Sequence, residues 1–204
     1  MKRTIHMLTL PLLLTALPAF ADEAPIAHRP LKATPGDFRE YLAPVMGVAC
    51  ARWEFTALTD AGEALNKCGD KTMVLSTDYD LNPTRISDGN GTPLVEFKPY
   101  YPQLSFPLTV GKEWGGEYSG YTADNNLHWD AKVSCKAEAY EKLVVAAGEF
   151  DTFRIACVDR WRCGALFSGE SRSTRWYAPK IFSIIKVVHD QPKWNTELVK
   201  AEIK

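Results

Sequence analysis

Arginine is concentrated in one stretch of the chain, and its chemistry there suits an anionic ligand. Guanidinium groups bind carboxylates and phosphates through paired N–H donors. Folded as a meander, the stretch would bring several of them onto one surface for a lipid headgroup or an acidic glycan. The alternative is pairing across the sheet with Glu149, Asp159 and Glu170, which the number of nearby acids favours. The arginines are Arg154, Arg160, Arg162, Arg172 and Arg175.

Aromatic residues form a second concentration, around Trp114 and Tyr118. Tyr100, Tyr101 and Tyr121 lie close to them in sequence. Aromatic side chains at this density line ligand grooves, and they also fill β-sheet cores. The predicted ligand-binding set is therefore Trp114 and Tyr118 with Arg160, Arg162, Arg172 and Arg175.

The five cysteines predict disulfides, because no two have the CxxC spacing of a redox or zinc motif. Cys50 and Cys68 flank the turn at residues 60–62. Cys135 and Cys157 flank the turn at residues 147–148, and each alternates with apolar residues of its strand. We expect Cys50–Cys68 and Cys135–Cys157, with Cys163 free and Cys135–Cys163 as the rival pairing.

No motif for catalysis or for a metal is complete. The histidines His28, His128 and His189 have no HExxH spacing. Asp78, Asp80 and Asn82 resemble the start of a calcium loop, but the loop lacks its later ligands. Glu113 and Glu117 share a strand face, so a glycosidase-like pair stays open. The sequence predicts no metal, no cofactor and no catalytic residue.

The elements that must position these residues are strands. Residues 129–137 alternate strictly between apolar and polar, and similar segments follow about every ten residues between glycine or proline turns. A central strand cannot include proline, which lacks a backbone N–H. Residues 93–107 are therefore expected to be an irregular or edge connection, because they contain Pro99, Pro102 and Pro107. A short helix is expected after Thr34, with Phe38, Tyr41 and Leu42 on one face.

The N-terminus predicts export. Lys2 and Arg3 precede an apolar stretch that ends in Ala19 and Ala21, which is the pattern of a secretory signal peptide. We expect residues 1–21 to be this signal, 22–34 a flexible lead and 35–204 a single β-domain, soluble in the periplasm or outside the cell. The net charge of −1 gives no electrostatic footprint for nucleic acid. No later segment is apolar for long enough to cross a membrane.

Three segments carry a resemblance to a known group. They are 106–114 (FPLTVGKEW), 145–153 (VAAGEFDTF) and 176–179 (WYAP). Their order resembles a broad, largely uncharacterised group of bacterial exported β-domains, related to the half barrel of the periplasmic lipoprotein carriers. The chain departs from the group's pattern at two places. Ala146 stands where a proline is usual, and Ile181 and Phe182 stand after Pro179 where a glycine is usual. The group has no agreed catalytic residues to carry over.

The expected fold is mainly β, an antiparallel curved sheet or half barrel with one short N-terminal helix. An open half barrel leaves an apolar concave face, so the resemblance implies a non-catalytic domain that binds a hydrophobic or envelope-derived ligand. The alternatives are a cell-envelope interaction module, and after it a hydrolase. The sequence leaves the partner and the oligomeric state open.

Overall fold

The computed structural model describes residues 25–30, 33–42 and 44–204. The predicted signal peptide lies outside the described residues, as does part of the predicted lead. Fourteen strands form in this part of the chain, with three single turns of 3₁₀ helix at Thr77–Tyr79, Pro179–Ile181 and Pro192–Trp194. The strands are β1 Ile26–Ala27, β2 Phe38–Tyr41, β3 Arg52–Leu58, β4 Glu63–Cys68, β5 Lys71–Ser76, β6 Asn82–Ser87, β7 Pro93–Lys98, β8 Leu108–Thr109, β9 Glu113–Thr122, β10 Leu127–Val145, β11 Gly148–Cys163, β12 Phe167–Ala178, β13 Ser183–His189 and β14 Thr196–Glu202.

Twelve strands close into an antiparallel barrel in the order β10-β11-β12-β13-β14-β2-β3-β4-β5-β6-β7-β9, and β1 pairs with β8 beside it. The half barrel expected from the sequence is wrong, because β9 pairs with β7 as well as with β10. The closing strand β7 falls within the stretch expected to be irregular. Its one proline, Pro93, occupies the first position of the strand, where a missing N–H is tolerated. Pro99, Pro102 and Pro107 all follow β7.

The N-terminal helix is also wrong, since Phe38–Tyr41 is strand β2, paired with β14 and β3. Distant backbone partners override the local helical spacing here. The buried Asp37 side chain accepts hydrogen bonds from the N–H groups of Thr34 and Lys204, both at 2.9 Å. The Asp37 carbonyl also accepts a backbone hydrogen bond from the Phe55 N–H. These contacts fix an extended chain at the seam between the first and last barrel strands.

The segment between β7 and β8 turns into the barrel. Asn82 is almost fully buried, and its side chain binds both donors and acceptors of this segment's backbone. Oδ1 accepts hydrogen bonds from the N–H groups of Gln103 and Leu104, and Nδ2 donates one to the Leu104 carbonyl at 2.8 Å. Tyr101 N–H donates to the Pro83 carbonyl. The segment of residues 99–107, called the inner segment below, therefore places Tyr101 inside the barrel wall.

Two disulfides join the pairs expected from the sequence, Cys50–Cys68 and Cys135–Cys157. Cys135 and Cys157 stand directly opposite each other on β10 and β11 and face the interior. Cys163 is free and half-buried at the end of β11. The largest core cluster packs around this bond and includes Val133, Phe153 and Ile155.

Candidate functional site

The barrel contains a cavity of about 1210 Å³ that is partly open to solvent. Eight strands make a barrel that inward side chains can fill, and twelve make a wider one. The inner segment fills only part of this width. The remaining wall is mostly apolar and includes the aromatic residues Trp53, Phe55, Phe97, Trp129, Trp161 and Tyr177.

Two glycines allow tryptophans of the wall to lie flat against the neighbouring strand. Gly120 on β9 stands opposite Trp129 on β10, and Gly169 on β12 stands opposite Trp161 on β11. A Cβ added at either glycine would collide with the indole ring. Glycine at these two positions therefore shapes the cavity wall.

Four polar side chains form a connected cluster in the cavity wall. Asp159 accepts a hydrogen bond from the Tyr101 hydroxyl at 2.9 Å and another from the Tyr118 hydroxyl at 3.1 Å. Nη2 of Arg175 donates to the Tyr101 hydroxyl at 2.5 Å, and its guanidinium stacks over the same ring. The cluster comes from β9, β11, β12 and the inner segment. We call it the Arg175 cluster.

Burial controls the ionisation of the tyrosines in this cluster. Loss of solvation raises the pKa of Tyr101 to about 12, against the partial opposition of the nearby Arg175 charge. The pKa of Tyr118 is raised well beyond the normal range, first by burial and then by the Tyr101 hydroxyl and the Asp159 carboxylate. Both phenols therefore keep their protons and donate hydrogen bonds at neutral pH.

Arg175 has unused hydrogen-bonding capacity. It is 3% exposed, and its Nη1 atom has no hydrogen-bond partner among the described residues. The Tyr177 hydroxyl, two residues further along the same inner face of β12, is also buried without a described partner. Two of the residues that line the cavity therefore each have a buried donor without a described partner.

His189 lies on the cavity wall near this cluster. Its Nδ1 accepts a hydrogen bond from the Gln191 N–H at 2.9 Å. Burial lowers the pKa of His189, and the Asp190 carboxylate, 2.7 Å from Nδ1, opposes this. The nearby Arg175 charge lowers the pKa further.

The structure divides the arginines of the predicted ligand-binding set between the two faces of the sheet. Arg160 and Arg172 lie on the outer face, where both pair with Glu170, at 3.0 Å and 2.5 Å. Arg162 is exposed, and it shares that outer face because it lies two residues from Arg160 on the same strand. Arg175 faces inward. Strand alternation separates Arg175 from Arg172, because the two differ by an odd number of residues.

Trp114 and Tyr118 both face inward from β9. Tyr118 lines the cavity and belongs to the Arg175 cluster. Trp114 packs instead against the hydrophobic core, opposite Cys135. Among the predicted residues, the structure thus brings together Arg175 and Tyr118.

Sequence reasoning missed Asp159 and Tyr101 as members of the site. Asp159 was expected to neutralise surface arginines, and Tyr101 lies in a proline-rich connection. One signal for Asp159 was available, because it alternates in step with Phe153, Ile155 and Cys157 and so shares their inner face. No sequence signal shows that the inner segment folds into the barrel.

The other candidate sites have structural roles in the described part of the chain. Asp80 and Asn82, expected to resemble a calcium loop, hold the inner segment through the backbone of Phe106 and Leu104. Glu113 and Glu117 point outward and pair with Lys136 and Lys132. No cluster of three or more potential metal ligands occurs among the described residues. Within the same residues, no helix is long and apolar enough to span a membrane.

Comparison with known proteins gives no family for this chain. No family model matches it, and no curated protein matches it. A solved structure of a candidate lipoprotein from Parabacteroides distasonis is 11% identical, with a TM-score of 0.48, over 86% of this chain and 99% of the other. A candidate exported protein with a YmcC-like fold from Bacteroides fragilis is 15% identical, with a TM-score of 0.47, over 87% and 99%. At this level of similarity no function is carried over.

Proposed function

We propose that this protein is an exported, non-catalytic carrier that binds a hydrophobic or envelope-derived ligand inside its barrel. The observation that supports this is the cavity of about 1210 Å³ behind a wall of aromatic side chains. Ligand pockets in proteins are mostly apolar, with a few polar groups that fix orientation. The cavity has this composition, with the Arg175 cluster as its polar part.

The bonding within the cluster fixes the positions of its polar groups. Both oxygens of Asp159 accept hydrogen bonds from phenols, and the Tyr101 hydroxyl is engaged by Asp159 and by Arg175. Groups that hold each other in this way suit a site that orients a ligand.

Tryptophan fluorescence tests the proposal, because Trp53, Trp129 and Trp161 line the cavity. We expect 11-bromo-1-undecanol, a neutral quencher with an apolar chain, to quench tryptophan emission of the delipidated protein with saturation. Ala64 is a buried cavity residue on β4, and Ala64→Phe should reduce this quenching by filling part of the cavity.

The matched control is Ser134→Phe, which adds a comparable ring on the outer face of β10. Its quenching should equal that of the wild type. Quenching that rises linearly with probe concentration, or that is identical in Ala64→Phe, would contradict binding in the cavity. The thermal midpoint of each variant shows whether it is folded.

Export is part of the proposal and has its own support. The chain begins with a signal-like segment, and two disulfides form in the described residues. Disulfides persist in oxidising compartments such as the periplasm. N-terminal sequencing of protein from a periplasmic or culture fraction should begin at Asp22, and a chain that retains Met1 would overturn the export proposal.

A further inference from the structure

The buried guanidinium of Arg175 contacts no carboxylate directly, and Asp159 is linked to it only through the Tyr101 hydroxyl. In the described part of the chain its one hydrogen bond goes from Nη2 to the neutral Tyr101 hydroxyl, and Nη1 has no partner. Asp159, the nearest acid in the cluster, directs its oxygens to the two phenols instead. A buried charge left in this way is costly unless an opposite charge reaches it.

The rest of the cavity does not supply that charge. Arg39 also lines the cavity, and its Nε and Nη2 donate to a neutral group, the Ile181 carbonyl, at 3.2 Å and 2.7 Å. Three further charged residues line the cavity and are exposed: the cations Arg29 and Lys193 and the acid Asp124. Four cationic side chains and two acidic ones therefore line the cavity among the described residues, and the surplus favours an anion.

A structural role explains Arg175 less well. A neutral donor would position the Tyr101 hydroxyl at a lower desolvation cost than a guanidinium. The outer arginines of the same strands show the contrast, since Arg160 and Arg172 each bind Glu170. The cavity thus has one buried arginine that no oxyanion of the described chain contacts directly.

We infer that Arg175 binds the oxyanion head, a carboxylate or a phosphate, of an amphipathic ligand whose apolar chain lies against the aromatic wall of the cavity. Nη1 donates to the head, and the Tyr177 hydroxyl is a second buried donor on the same face of β12. A guanidinium matches the geometry of both oxyanions. This inference rests on the proposed carrier function and specifies the class of ligand.

The test compares two probes that differ in the head alone, 11-bromoundecanoic acid and 11-bromo-1-undecanol, by quenching of tryptophan emission at pH 7.5. In the wild type the acid should bind at least about tenfold more tightly than the alcohol, as expected for a charge-assisted hydrogen bond in a buried site. Arg175→Met should remove this preference and leave the affinity for the alcohol within about twofold. Arg160→Met, on the outer face, should keep the preference.

The outcomes separate the inference from the proposed function. Equal binding of both probes by the wild type, or an unchanged preference in Arg175→Met, overturns the anion site while the carrier function stands. Saturable binding of neither probe overturns both. If Arg175→Met does not fold, the comparison of the two probes on the wild type still decides the question.

Competition against the bound acid then identifies the head. Recovery of fluorescence at lower concentrations of dodecanoic acid than of dodecanol supports a carboxylate ligand, and the same result for dodecyl phosphate supports a phosphate ligand. If neither anion displaces the acid better than dodecanol does, the inference is wrong.

Discussion

The hydroxyl of Tyr101 donates a hydrogen bond to Oδ2 of Asp159 at 2.9 Å, although 58 residues of sequence separate the two. The bond ties the inner segment to strand β11 in the barrel wall. Because Arg175 donates to the same hydroxyl, one phenol connects an acid and a base that do not touch each other directly. The inner segment and the polar part of the cavity are therefore one structural unit.

Replacing Tyr101 by phenylalanine should destabilise the protein by about 1–3 kcal/mol, because the variant leaves Arg175 without its hydrogen-bond partner and Asp159 with Tyr118 alone, while the ring remains. Chemical denaturation in urea measures the change. Tyr100→Phe is the matched control, since Tyr100 stacks on Tyr79 and its hydroxyl makes no hydrogen bond within the described chain. A similar loss of stability in both variants would contradict the role given to the Tyr101 hydroxyl.

Alkaline pH should destabilise the fold through the buried tyrosines. The pKa of Tyr101 rises from 10.0 to about 12 on folding, and burial also raises the pKa of Tyr118 and Tyr177. Between these values the unfolded chain has released protons that the folded chain retains, so the free energy of unfolding falls as pH rises from about 10 to about 12.

Urea denaturation at a series of pH values from about 9 to about 11.5 measures this slope. Tyr101→Phe should show a shallower slope than the wild type, because one of the contributing groups is gone. A free energy of unfolding that stays constant over the range would show that the phenols are not buried as described.

The alternating strands and the disulfides could be predicted from the sequence because they depend on local pattern. Residues 129–137 alternate perfectly, and Cys135 and Cys157 lie at matching positions on either side of a glycine turn. The closure of the barrel could not be predicted, because it depends on the pairing of β7 with β9. The prolines that follow Lys98 indicated an irregular connection over the whole stretch that contains β7. The helical spacing around Phe38 gave a wrong prediction for a similar reason, since one of the strands that pair with this segment, β14, is distant in sequence.

The candidate site could be predicted only in part. The crowding of arginines left an anion site open beside the favoured pairing with nearby acids. Strand alternation alone would have singled out Arg175 as facing inward with Ser173 and Tyr177. Its surroundings could not be predicted, because Tyr101 reaches Arg175 only through the inner segment, and Asn82 holds that segment by contacts that leave no sequence pattern.

The bond between Cys135 and Cys157 should contribute about 3 kcal/mol to stability, as expected on the chain-entropy model for a bond between cysteines 22 residues apart. The double variant Cys135→Ala/Cys157→Ala should lose this amount in urea denaturation. Cys163→Ala is the control and should stay within about 0.5 kcal/mol of the wild type. A linked peptide containing Cys163 in an unreduced digest would contradict this pairing.

Phe153→Ala should cost about 3–5 kcal/mol, because Phe153 is 1% exposed in the core beside the Cys135–Cys157 bond. Phe167→Ala removes the same ring from an exposed position at the start of β12 and should change stability by under about 0.5 kcal/mol. Thermal or urea unfolding distinguishes the two. A loss below about 1 kcal/mol for Phe153→Ala would show that it is not a core anchor.

Native mass spectrometry of the protein, isolated from a periplasmic fraction without detergent or organic solvent, tests the carrier function most directly. The wild type should carry an amphipathic molecule that adds a discrete mass and dissociates on denaturation. Ala64→Phe should carry less of it, and Ser134→Phe as much as the wild type. A wild-type protein that shows only its bare mass, and that binds neither bromoundecanol nor bromoundecanoic acid after purification, would contradict the account.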